Sequence, residues 1–218
     1  MELHDIMVRA LAATSTVVQR VGAGQLDRPT PCREWDVRAL TNHLLLVVEA
    51  LELAGHGAPI PDTHWTSTAA AAVPVSARPE SALPSSALPS SAFPDSARVF
   101  QGAASAWDAP EAWTRPVPMG GMPMPADMAV AMLVSDVVIH GWDLARATGS
   151  PSAGSSPAGS PASSFAVDDD VAAMTLRFMT TMSEQGRAMG IFAAAVPAAG
   201  DASDLDRALA LSGRDPSS

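Results

Sequence analysis

Asp136, His140 and Asp143 stand at i, i+4 and i+7 in the string SDVVIHGWDLARATG (residues 135–149). On a helix those positions share one face, a turn apart each time. A carboxylate and an imidazole at i and i+4 can aim at one point and form a two-ligand clip. Zinc and similar ions take N and O ligands at about 2.0–2.2 Å, and a catalytic site commonly uses three protein ligands and keeps one position open. The third ligand must come from another element. His43 suits it, one turn from Leu40 and from Val47 on an inward-looking stripe, because metal sites in helical bundles are built from inward side chains on facing helices. Two plainer readings stay open: histidines hydrogen-bonded in a core, and an Asp136–Arg ion pair that relieves the cost of burying a carboxylate.

Other candidates carry less. Asp143 reads as a spare ligand, an acceptor that holds a ligand imidazole in place, or an i, i+3 partner for Arg146. Asp143 and Arg146 are therefore the candidates for orienting a bound cosubstrate. His4, His56 and His64 lie at the terminus or in loop-like sequence and read as solvated. Cys32 follows Pro31 in a turn before a helix; a thiol there is a candidate nucleophile, though most lone cysteines are small core residues. Trp35 and Trp142 read as core residues or walls of the site, and Met119, Met122 and Met124 as a soft apolar pocket or a loop. Gly120-Gly121 lacks the further glycines and lysine of a phosphate loop, and no GxSxG elbow is present.

The elements that must position these residues read as helical. Apolar residues recur at three- and four-residue steps over 3–21, with Gly22 as a C-terminal cap. Residues 27–34 form a turn around Pro29 and Pro31. Asp36 caps a second helix to about Leu53, stopped at Gly55-His56-Gly57. A third helix covers 95–107, and 113–125 reads as a short hairpin or loop. The strongest helical signal covers 126–148 and is ended by Gly149. A further helix covers 169–189, and a short one, about 204–212, is capped by Ser203 and closed by Gly213. Residues 58–94, containing the near-repeat SALPS-SALPS-SAFPD, and 149–164 are rich in Ser, Ala and Pro and read as flexible loops. The expectation is one all-α domain over 1–218: a four-helix bundle with an additional short C-terminal helix and two long low-complexity loops.

Composition narrows the function. All 13 basic residues are Arg and the net charge is −10, so there is no basic cluster for nucleic acid or for an anionic membrane surface. No uninterrupted apolar run reaches the ~18–20 residues that span a bilayer, and the first residues do not resemble a signal peptide. Cys32 is the only cysteine, which excludes an internal disulfide and fits a cytoplasmic protein. Abundant Ala, Pro and Arg without Lys point to a GC-rich, actinobacterial source. A homodimer is compatible with a bundle that has apolar faces to spare, but no residue argues for one.

Three blocks carry a family resemblance: PTPCREWDVRALTNHL (29–44), DVVIHGWDLARATG (136–149) and DRALALSGRDP (206–216). Together they resemble the actinobacterial metal-binding proteins related to the N-terminal domain of mycothiol-dependent maleylpyruvate isomerase, within the DinB/YfiT-like superfamily. The resemblance implies a DinB-like four-helix bundle. It also implies a divalent metal, with zinc the first expectation, on His43, Asp136 and His140, and mycothiol as cosubstrate. The isomerase has Glu where this chain has Asp136; the side chain is one methylene shorter, so the ion would sit nearer that helix or take a bridging water. The leading functional expectation is a metal-dependent thiol transferase or isomerase acting on a small-molecule thiol and an electrophile. The alternatives are a non-catalytic metal-binding sensor or interaction module on the same bundle, and a buried hydrogen-bond network with no metal.

Overall fold

The structure is a computed structural model, and it describes residues 2–33, 35–62, 64, 91–119, 121–149 and 165–217. Most of the two Ser/Ala/Pro-rich stretches, including the SALPS near-repeat, lies outside the described residues. The described chain is all-α apart from one small hairpin.

Helix α1 spans Glu2–Gln19 and buries Ile6, Met7, Ala10, Leu11, Val17 and Val18, the face that the three- and four-residue spacing predicts. Gly22 does not cap it. Its φ is −87°, and the chain enters a 3-10 turn, Ala23–Gln25, whose Gln25 side chain accepts the Gly22 N–H at 2.8 Å. The helix ends earlier because Arg20 and Val21 donate to the carbonyls three residues back, Val17 and Val18, which tightens the last turn.

Helix α2 spans Val37–His56. The Asp36 carboxylate accepts the Ala39 N–H at 2.8 Å, satisfying one of the free donors at the helix start. The helix runs past the expected stop at Gly55 and is closed by Gly57, in the left-handed region at φ 70°. Gly55 lies inside the helix, and a glycine stands there because the end of the next helix lies against it. A Cβ there would come within 2.7 Å of Ala106 Cβ and 2.8 Å of Trp107 Nε1.

Helix α3 is Ser96–Ser105. The hairpin pairs β1, Val117–Met119, antiparallel with β2, Met122–Met124. Helix α4 is Ala126–Thr148, closed by Gly149; α5 is Asp169–Ala188, capped by Asp168; α6 is Asp204–Leu211, capped by Ser203.

Helices α1 and α2 both pack against α3 and α4, which makes the four-helix bundle. The helix expected at 169–189 lies outside that ring as α5, against α4 and α1, and α6 packs on α5. Two surface ion pairs join α5 to α1: Arg9 of α1 reaches Asp168 at 2.8 Å and Asp170 at 3.0 Å. Among the described residues α4 is the one helix long and apolar enough to cross a bilayer, yet 78% of its most apolar window is buried inside the protein. It is the central core helix of the bundle.

Gly141, beside His140, sets how closely α1 and α4 approach. A Cβ at that position would lie 2.6 Å from Thr14 Oγ1 and 3.0 Å from the Phe165 ring. Gly141→Ala therefore overpacks the core, and the gain in helix propensity does not offset the clash. We expect a loss of about 1–3 kcal/mol, read as a lowered midpoint in thermal unfolding.

Candidate metal centre

Helix α2 carries His43 to α4 opposite Asp136 and His140. His43 Nε2 lies 3.0 Å from Asp136 Oδ2, and His140 Nε2 lies 3.5 Å from Asp136 Oδ1. One donor atom from each residue falls within 4.8 Å of the other two. The two imidazole rings stand nearly perpendicular, at 85° with centroids 5.1 Å apart. Asp136 is partly exposed, with its side chain at 35%, while His140 is buried.

The neighbours of His140 decide which nitrogen is free. His140 Nδ1 lies 2.9 Å from Asp143 Oδ2. An ionised carboxylate only accepts, so Nδ1 carries the hydrogen, and in the neutral ring Nε2 is the nitrogen that presents its lone pair. That lone pair faces an Asp136 oxygen across 3.5 Å. Two electron-rich atoms so placed need a cation or a proton between them. Ligands at about 2.1 Å around a tetrahedral ion sit roughly 3.4 Å apart, close to the spacings found here. The nitrogen–oxygen–nitrogen donor set, its spacing and the fixed tautomer of His140 all fit a divalent ion.

Asp143 is itself held from the C-terminal segment. It has no exposed surface. Arg214 donates from Nη2 to Asp143 Oδ2 at 2.7 Å and from Nε to Oδ1 at 3.2 Å, a two-pronged clamp. Burial alone would raise the Asp143 carboxyl; the hydrogen bonds from His140 and Arg214 outweigh it and hold the carboxyl below its usual range. Burial opposes ionisation of Asp136 as well, but the electrostatic influence of His140 and His43, and the hydrogen bond with His43, bring it down to about 2. Asp136 is thus kept as an anion by imidazoles. The bonded partners of Asp136 are these imidazoles and not an arginine; Arg214 adds only its more distant charge.

Trp35 covers the histidines from the turn before α2, its ring 4.5 Å from His43 and 5.4 Å from His140. Thr30 fixes that turn: its hydroxyl donates to the Trp35 carbonyl at 2.7 Å, and Pro29 bridges to Asp36. Trp35 is thus a wall of the site, whereas Trp142 is a buried core residue.

Several sequence expectations change. Asp143 pairs with His140 and Arg214 and not with Arg146, whose guanidinium lies 5.5 Å from the Trp142 ring centre. Arg214 is a partner that the sequence does not announce, because 71 residues separate it from Asp143. His56 is exposed as expected, but His64 is buried 3.4 Å from Glu49, and His4 is half-buried 3.3 Å from Asp108. Cys32 is half-buried and groups with His140 and Asp143 within 4.8 Å, at the side of the centre where Arg214 already supplies a positive charge. Met119 packs in the core, Met124 is half-buried and Met122 is exposed, so the three methionines do not make one pocket.

The family model of the mycothiol maleylpyruvate isomerase N-terminal domain matches residues 8–145. That span contains His43, Asp136, His140 and Asp143, and stops short of Arg146 and Arg214. No curated protein and no solved structure matches the chain.

Proposed function

The chain belongs to the mycothiol maleylpyruvate isomerase N-terminal domain family, and we propose on that footing that it is a divalent-metal-dependent thiol transferase or isomerase with mycothiol as cosubstrate. The observation that carries this reading is the meeting of two imidazoles and one carboxylate from facing helices, with the carboxylate side partly open to solvent. His43, Asp136 and His140 would hold the ion, and zinc suits the donor set best. A bound cation supplies Lewis acidity that favours the deprotonated, nucleophilic form of a thiol at neutral pH.

The chain's own residues do the remaining work. Asp143 keeps the proton on His140 Nδ1, so that Nε2 stays a donor. Asp143 has no exposed surface and both its oxygens are bonded, so it acts on the ligand imidazole and not on the cosubstrate. Trp35 shields the histidine rings on one side and leaves the Asp136 edge as the approach for a small thiol and an electrophile. Arg146, half-buried on the same helix, is our candidate for meeting a negatively charged group of either substrate. The partly exposed Asp136 supports an open coordination position and weighs against a closed sensor site.

The test uses protein purified without a polyhistidine tag and loaded with zinc. Calorimetric titration with mycothiol should show binding that disappears on chelation, and the loaded protein should accelerate thiol addition to an electrophile or the isomerisation of maleylpyruvate. Loaded protein that neither binds mycothiol nor turns over any of a panel of electrophiles would overturn the proposal.

A further inference from the structure

We propose that Arg214 is a positioning residue of the metal centre, acting through Asp143 to fix the tautomer and aim of His140; this rests on the metal-binding reading above. The chain of contacts is continuous. Arg214 grips both oxygens of Asp143, at 2.7 and 3.2 Å, and one of those oxygens takes the hydrogen of His140 Nδ1 at 2.9 Å. The opposite nitrogen of the same ring faces Asp136.

Two features make this more than a surface ion pair. Asp143 has no exposed surface and the Arg214 side chain is only 12% exposed, so the pair is largely shielded from water. The guanidinium is also held in orientation, because its Nη1 donates to the Ser212 carbonyl at 3.2 Å. That carbonyl belongs to the turn closing α6, where Gly213 takes φ 87° and a Cβ would strike Ala193 at 2.7 Å. The turn brings the arginine back to α4 from a helix that otherwise packs on α5. A planar five-donor fork matches a carboxylate on two points, whereas a lysine ammonium offers one charge without that geometry. With the fork removed, Asp143 can rotate, and His140 loses the acceptor that selects Nδ1–H over Nε2–H. The lone pair needed for an ion is then present only part of the time.

The experiment compares wild type, Arg214→Ala and Arg214→Lys, with His140→Ala as the control that removes a ligand. Zinc affinity is measured by competition with a chromophoric chelator. The tautomer of His140 is read in metal-free protein at pH 8 from its imidazole 15N shifts. We expect Arg214→Ala to weaken zinc binding about 10–100-fold and to mix the His140 tautomers, and Arg214→Lys to recover part of both. A folded Arg214→Ala protein, verified by circular dichroism, that keeps wild-type affinity and an unchanged His140 tautomer overturns the inference. If Arg214→Ala fails to fold, Arg214→Lys decides: wild-type values for both readouts count against a role for the fork. Failure of wild type itself to bind zinc removes the metal reading, and the metal-free tautomer measurement still decides the Arg214–Asp143–His140 coupling.

Discussion

His140→Ala is expected to abolish divalent metal binding. The side chain faces two ways: Nε2 completes the donor set with His43 and Asp136, while Nδ1 is anchored to Asp143. Alanine removes one of the three proposed ligands and leaves His43 and Asp136 as a partly exposed pair that water can satisfy. Elemental analysis of tag-free protein should fall from about one equivalent of zinc to background. The fold should survive, because Asp143 keeps its two hydrogen bonds from Arg214 when the buried ring is removed. Retention of stoichiometric metal by a folded His140→Ala protein would rule out this ligand assignment. His43→Ala should show the same loss, which would place the ion between α2 and α4 and not on α4 alone.

Asp143→Ala is expected to destabilise the protein more than any change among the exposed residues of the site. It strands the Arg214 guanidinium, which is largely buried, and leaves His140 Nδ1 without its acceptor. Deleting one partner of a buried, hydrogen-bonded ion pair typically costs about 3–5 kcal/mol, because the remaining charge keeps its desolvation penalty without compensation. Urea unfolding of metal-free protein measures the effect apart from any contribution of the ion. The double replacement Asp143→Leu with Arg214→Met should recover much of the loss while leaving metal binding impaired, since apolar residues of similar size fill the space but hold no imidazole. A loss below about 1 kcal/mol for Asp143→Ala would show that the pair is hydrated and not structural.

The bundle was legible because its signals are local. Asp36 before an apolar stripe, Ser203 three residues before Asp206, and Gly149 after a long apolar run each mark a helix end through a hydrogen bond made within one turn. The i, i+4 relation of Asp136 and His140 is of the same kind, as it needs only that the helix form. The meeting of His43 with them depends on which faces of α2 and α4 pack together, and the inward apolar stripe of α2 points to it. What stayed hidden depends on contacts distant in sequence. Gly55 looked like a helix stop, and only the approach of Ala106 and Trp107 shows why a glycine stands inside α2. Arg146 was the arithmetic partner for Asp143 at i+3, yet Arg214 takes the carboxylate, because the turn after α6 returns the chain to α4. His64 looked solvated from its loop-like surroundings; its burial beside Glu49 follows from how the chain folds back over α2.

The contact between His43 and Asp136 joins points 93 residues apart in the sequence. A clasp at that span encloses α3, the hairpin and the Ser/Ala/Pro-rich stretch between 65 and 90. Because the entropic penalty of closing a loop rises only with the logarithm of its length, doubling the enclosed segment would cost roughly 0.6 kcal/mol. The wide separation of the two residues along the chain therefore adds little to the cost of bringing them together, beyond what a spacing half as long would carry.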